Sequence, residues 1–158
     1  MEQILDQAIQ AAIAQARATM REGFGGPFGA AIIKDSQVIA VASNTVLRDH
    51  DASAHAEVNA IRKAGETLKT HDLSGCILYA TGYPCPMCLS AIIWANITQV
   101  YYGCEASEAQ AIGFRDDFIY RFIEEGRSDS SVLLLRSMGE QEVRSLYAEY
   151  LAEDHLRY

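Results

Sequence analysis

Residues 83–94 read Tyr-Pro-Cys-Pro-Met-Cys-Leu-Ser-Ala-Ile-Ile-Trp, and this stretch restricts the fold more than any other. A short apolar run at 76–81 leads into it, and an apolar segment continues to about residue 95. The junction reads as a buried strand turning directly into a helix. Pro86 is tolerated in the first helical turn, where its missing N–H costs nothing. Cys85 and Cys88 then stand one turn apart and can reach a single ion, and the free N–H groups and positive dipole end favour thiolate over thiol. Upstream lies Ala54-His55-Ala56-Glu57. One imidazole and two thiolates suit zinc as a three-ligand set, leaving a fourth position for water, which a catalytic site keeps and a structural site fills. His55 and Glu57 add a geometric demand. Two residues apart on a regular helix they would point in nearly opposite directions, so both serve one site only if His55 stands at the very start of its helix.

At 158 residues the chain is long enough for one domain with a real core. No apolar run approaches the ~20 residues of a membrane helix, and the first six residues lack the basic start and apolar centre of a signal peptide. Four cysteines without an export signal favour metal or free thiols over disulfides, which places the protein in the cytoplasm. The net charge is −8 and the 13 basic residues form no run, so a long phosphate backbone is a poor partner. A small neutral substrate is unaffected by that charge.

Apolar residues from Ile4 to Met20 recur at helical spacing, and Gly23, Gly25 and Gly26 end that helix. Residues 28–33 and 38–42 read as strands of an antiparallel hairpin about the turn 34–37. Residues 44–54 are polar and aperiodic, a loop; 55–68 are helical with Val58, Ile61, Ala64 and Leu68 on one face. Beyond the cysteine helix, 100–103 reads as a strand, 105–110 and 118–124 as helices, 126–131 as a loop, 132–135 as a strand and 140–155 as a closing helix. No repeat or linker interrupts the chain. Strands alternating with helices after an antiparallel pair imply one mixed sheet with helices on both faces.

A zinc ion with two thiolates and a neutral imidazole carries no net formal charge. It should acidify water less than a three-histidine site, where the pKa is roughly 7. A nearby base then matters, and Glu57 is placed to take a proton from that water and deliver it to a ring nitrogen, as a shuttle and not a ligand. Taken alone, Cys-x-x-Cys is more often redox, structural zinc or chance. His-x-Glu followed by Pro-Cys-x-x-Cys is far more specific, being the signature of zinc-dependent nucleobase deaminases. Cys76 and Cys104 read as core or inert thiols and His50, His71 and His155 as solvated, which leaves no fourth ligand.

With these motifs the chain resembles the cytidine deaminase superfamily and, within it, the bacterial guanine deaminases. The resemblance extends to Gly25-Gly26-Pro27-Phe28-Gly29-Ala30 and to Gly113-Phe114-Arg115-Asp116-Asp117-Phe118-Ile119-Tyr120, the second being the discriminating segment. It implies an α/β fold, a three-layer α/β/α sandwich with a mixed, roughly five-stranded sheet, forming a single domain over 1–158. It further implies one zinc (Zn2+) per subunit and hydrolysis of the purine base guanine to xanthine and ammonia. A homodimer is also implied, with a C-terminal segment of about 140–158 exchanged between subunits. By the same resemblance Asn44 binds the base, Asp116 accepts from purine N–H groups, Phe28 stacks on the ring and Tyr158 caps the neighbour's site. Trp94 matches a pocket-wall position, with plain packing as its other reading. Tyr83 departs from the pattern, which has an acidic residue before Pro84. Two competing functions are deamination of another base or nucleoside (cytosine, guanosine, an aminotriazine or tRNA adenosine) and a non-catalytic zinc-stabilised dimer.

Overall fold

The computed structural model describes residues 2–157. Its compact units are Met1–Ile119 and Tyr120–Tyr158. The first opens with α1 (Glu2–Arg21), then β1 (Gly29–Lys34) and β2 (Gln37–Ser43), a short α2 (Val46–Asp49) and α3 (Ala56–Leu68). It continues through β3 (Ile77–Gly82), α4 (Pro86–Trp94), β4 (Gln99–Cys104) and α5 (Ala106–Ala111). The last helices of the chain are α6 (Asp117–Glu124) and α7 (Glu140–Ala152).

The sheet has four strands in the order β2-β1-β3-β4, with β1 antiparallel to both neighbours and β3 parallel to β4. Two residues, Asp35 and Ser36, close the hairpin at φ 49° and 59°, the left-handed pair that a tight turn matching strand twist requires. Alternation along the central strands separates two layers. Ala30, Ile32, Leu78 and Ala80 face Ala56, Ala60 and Ala64 of α3 and Ile92 of α4. Ala31, Ile33, Ile77 and Tyr79 face Ile4, Ala8 and Ala12 of α1.

The alanines of α1 have a steric purpose. A Cβ on Gly29 would stand 2.1 Å from the carbonyl oxygen of Ala12, so the helix backbone lies directly against the start of β1. Only small residues on both sides permit that approach, which holds the layer at native packing density.

The sheet brings three strand ends to one edge. Gly29 pairs with Ser43 and Ala30 with Ala80, so the start of β1 and the ends of β2 and β3 are adjacent. Gly29 N–H donates to Thr81 Oγ1 at 3.0 Å, and Asn44 N–H donates to Phe28 O at 2.9 Å. Each of these ends runs into a segment carrying a candidate site residue.

The expected fifth strand is absent among the described residues. Val132–135 form no ladder, and their side chains are 40–60% exposed. An apolar run becomes a strand only where another strand satisfies its backbone, and no described strand does so here. The loop expected at 44–54 contains α2, a single helical turn. No described helix is long and apolar enough to cross a membrane.

Candidate active site

Two helix starts supply the metal donors. His55 is the residue before α3, in extended conformation (φ −71°, ψ 157°), and Glu57 follows in the first turn. This is the arrangement the two-residue spacing demands, because His55 leaves the helical screw before Glu57 enters it. Cys85 stands in the same position before α4 (φ −66°, ψ 169°), with Pro86 as the first helical residue and Cys88 inside the first turn. Tyr83 N–H donates to Cys104 O at 2.8 Å, which fixes the strand-to-helix turn against the end of β4.

His55 Nδ1 lies 3.6 Å from Cys85 Sγ and 3.6 Å from Cys88 Sγ. The three donor atoms all fall within 4.8 Å of one another. Ligands at about 2.1 Å (nitrogen) and 2.3 Å (sulfur) around a tetrahedral centre are separated by roughly 3.6 Å. The set therefore fits zinc. The groups are also electrically matched to a cation. Hydrogen bonding from Cys88, then from His55, holds the Cys85 thiol down at about 4, so it is a thiolate. Its partner Cys88 is pushed upward by the same shared hydrogen bond and by burial, so without a cation the pair keeps one proton. The hydrogen bond to Cys85 likewise raises the affinity of His55 for a proton.

Glu57 is only 8% exposed, and burial first, then the negative Cys85, raises its carboxyl above the ordinary carboxylate range. A carboxyl that holds protons more tightly than usual is suited to passing them near neutral pH.

A cavity of about 460 Å³ opens over these groups, within the usual range for small-molecule sites. His55, Glu57, Cys85, Asn44, Phe28 and Asp116 all line it, while Cys88 is fully buried. Asn44 Oδ1 accepts from Val46 N–H at 3.2 Å, a local turn that leaves the amide nitrogen as the group to be satisfied by a ligand. Asp116 is raised by burial and then by Cys85. The neighbouring Arg115 does not neutralise it, since its guanidinium forks onto Asp117 at 3.1 Å through two nitrogens.

Trp94 does not join this group. It is 74% exposed on α4 and lies outside the cavity, because the face of that helix bearing Cys88 and Ile92 turns inward and Trp94 falls on the other side. Tyr158 lies outside the described residues. The expectations for the other seven residues place them in one site, and two neighbours join them. Phe114 packs edge-on to Phe28, with ring centroids 4.9 Å apart and planes at 88°. Its signal was an aromatic residue two positions before Asp116 in a glycine-led polar segment. Tyr83 stands where an acidic residue is expected, and its ring lines the cavity while meeting Tyr102 edge-on at 5.0 Å.

Residues 2–104 match the cytidine and deoxycytidylate deaminase zinc-binding region. The chain is 47% identical over 110 residues to a guanine deaminase of Bacillus subtilis, covering 70% of each protein. Its structure superposes on an X-ray structure of guanine deaminase from Bacillus subtilis with a TM-score of 0.87 at 37% identity, covering 97% of both chains. It is also 41% identical over 86 residues to a tRNA-specific adenosine deaminase of Agrobacterium fabrum, covering 54% of this chain and 57% of that one.

Proposed function

We infer function from one premise: this chain belongs to the cytidine and deoxycytidylate deaminase zinc-binding family. It is a zinc-dependent aminohydrolase, and we propose that it converts guanine to xanthine and ammonia. The observation that carries this reading is a shared cavity. Two of the zinc donors, His55 and Cys85, line it with Glu57, a carboxylate, a carboxamide and three aromatic rings, and the third donor, Cys88, is buried beside them. The guanine deaminase likeness across 97% of the chain supports the same substrate.

His55, Cys85 and Cys88 would hold the zinc, which supplies Lewis acidity that makes water a competent nucleophile near neutral pH. Every other part of the chemistry belongs to side chains of this chain. Phe28 and Phe114 bury the flat base against apolar surface. Asp116 accepts from purine N–H groups, and the Asn44 amide nitrogen donates to a ring acceptor. These contacts set the exocyclic amine of C2 toward Glu57. As water adds to C2, Glu57 takes its proton and passes it to N3. The tetrahedral adduct collapses with cleavage of the C2–N bond, and the amine leaves as ammonia after a second proton transfer.

An ammonia-release screen over guanine, guanosine, cytosine, adenine and aminotriazines tests this with zinc-loaded protein. Guanine is expected to be hydrolysed with the highest kcat/KM, one xanthine formed per ammonia. Faster turnover of any other member would overturn the choice of base.

We further propose a homodimer in which the C-terminal segment, about 140–158, is exchanged, with Tyr158 closing the neighbour's site. The unit Tyr120–Tyr158 supports this by its surface. Leu133, Leu135, Met138, Leu146, Tyr147 and Leu151 are each more than half exposed, a concentration of apolar surface that water-soluble monomers avoid. Deleting Tyr158 alone should lower kcat/KM by about tenfold, through the loss of roughly 1.5 kcal/mol of aromatic contact. The melting midpoint should stay at that of the full chain. Undiminished activity of the shortened protein would refute the capping role. Among the described residues none of the four cysteines is held in a disulfide, which supports a reducing, cytoplasmic setting.

A further inference from the structure

Asn59 lies in α3, one turn past His55, and its own N–H donates to His55 O at 2.9 Å. Its side chain meets three oxygens. Nδ2 is 3.0 Å from Ser43 O, 2.9 Å from Thr45 Oγ1 and 3.2 Å from Ala54 O. On its other side Oδ1 accepts from Arg62 at 3.3 Å. The orientation of the amide is unambiguous, because reversing it would set an oxygen against two backbone carbonyls and a nitrogen against a guanidinium. Thr45 spends its hydroxyl proton on Asp49 Oδ2 at 2.6 Å, so toward Asn59 it can only accept.

These acceptors belong to the two segments whose spacing matters to the reaction. Ser43 and Thr45 flank Asn44, and Ala54 precedes His55. Among the described residues the other direct tie between the two segments is one backbone bond, Thr45 N–H to Ala54 O at 3.0 Å. One hydrogen bond leaves a hinge; a second point of attachment, shared over three oxygens, removes it.

We propose that Asn59 is a positioning residue that fixes the distance between the Asn44 carboxamide and the zinc donor His55. It thereby holds the bound base in register with the attacking water. This rests on the reading of Asn44 as the group that grips the base. Asn59 itself is not among the residues lining the cavity, so it acts on catalysis through the two segments it ties.

A double-mutant cycle tests this, using the base that the ammonia screen selects as substrate. Asn59→Ala removes the clamp, and Asn59→Asp keeps its shape while setting an oxygen against three acceptors. Each should lower kcat/KM by about 10- to 100-fold, the scale of an ångström-level misplacement, with KM rising and zinc staying at one per chain. Made in an Asn44→Ala background, Asn59→Ala should change kcat/KM by less than twofold, because the group it positions is gone. An equal loss in both backgrounds would overturn the positioning role, as would an unchanged kcat/KM in the single variants. If Asn44→Ala alone is silent, the reading of Asn44 fails and the proposal falls with it. Should Asn59→Ala not fold, Asn59→Gln keeps both donors on an arm one methylene longer and is put through the same cycle.

Discussion

Replacing Glu57 by glutamine should abolish turnover and leave zinc bound. The glutamine side chain has the same shape, so it can occupy the same nearly closed niche, where Glu57 is 8% exposed. It cannot take a proton. General acid–base catalysis contributes on the order of 10²–10⁴-fold, and Glu57 is needed twice, once to deprotonate water and once to protonate the ring, so kcat should fall at the upper end of that range. Zinc content should stay at one per chain, because His55, Cys85 and Cys88 form the donor set without Glu57. Steady-state kinetics and metal analysis on one preparation separate the cases. Wild-type activity would remove Glu57 from the mechanism, and loss of zinc would make it a ligand.

The placement of these four residues was legible in sequence because their constraint is local. Two-residue spacing forces His55 out of the helix and into the position before it, and Pro86 announces the start of the next helix; both are observed. The hairpin was legible for a similar reason, since Lys34-Asp35-Ser36-Gln37 bridges two apolar runs and Asp35 and Ser36 adopt the turn. What stayed hidden depends on contacts between distant segments. That Asn59 would reach Ser43 and Ala54 cannot be seen from a helical polar residue. Trp94 matches a pocket-wall position by resemblance, with plain packing as its other reading, and resemblance does not show that α4 turns it outward. The apolar run 132–135 has strand composition, yet composition supplies no partner for its backbone, and it forms no ladder. Arg115 stands beside Asp116 in sequence but forks onto Asp117, a choice that adjacency alone does not decide.

Gly25 sits where the glycine-rich turn meets Asn44, the proposed base-binding group, and a methyl added by Gly25→Ala should strike that group directly. A Cβ there would lie 2.1 Å from Asn44 Oδ1, 2.6 Å from Asn44 O and 2.9 Å from its carbonyl carbon. Side-chain movement alone cannot relieve this, because two of the three atoms are backbone. That backbone is held on both sides, by Asn44 N–H to Phe28 O at 2.9 Å and Thr45 N–H to Ala54 O at 3.0 Å. Something must shift, and either the turn or Asn44 leaves its place. If Asn44 orients the base as proposed, displacing it by about 1 Å should cost on the order of 10²-fold in kcat/KM, with a stability loss of about 1–3 kcal/mol from overpacking. Gly23 supplies the contrast. It sits at φ 73° with nothing within 4 Å of its Cβ position, so Gly23→Ala strains the backbone without touching Asn44. Melting midpoints should fall for both variants, and kcat/KM for Gly25→Ala alone. Equal kinetic losses in the two would show that the turn acts through its own stability, and the steric link from Gly25 to Asn44 would then carry no catalytic weight.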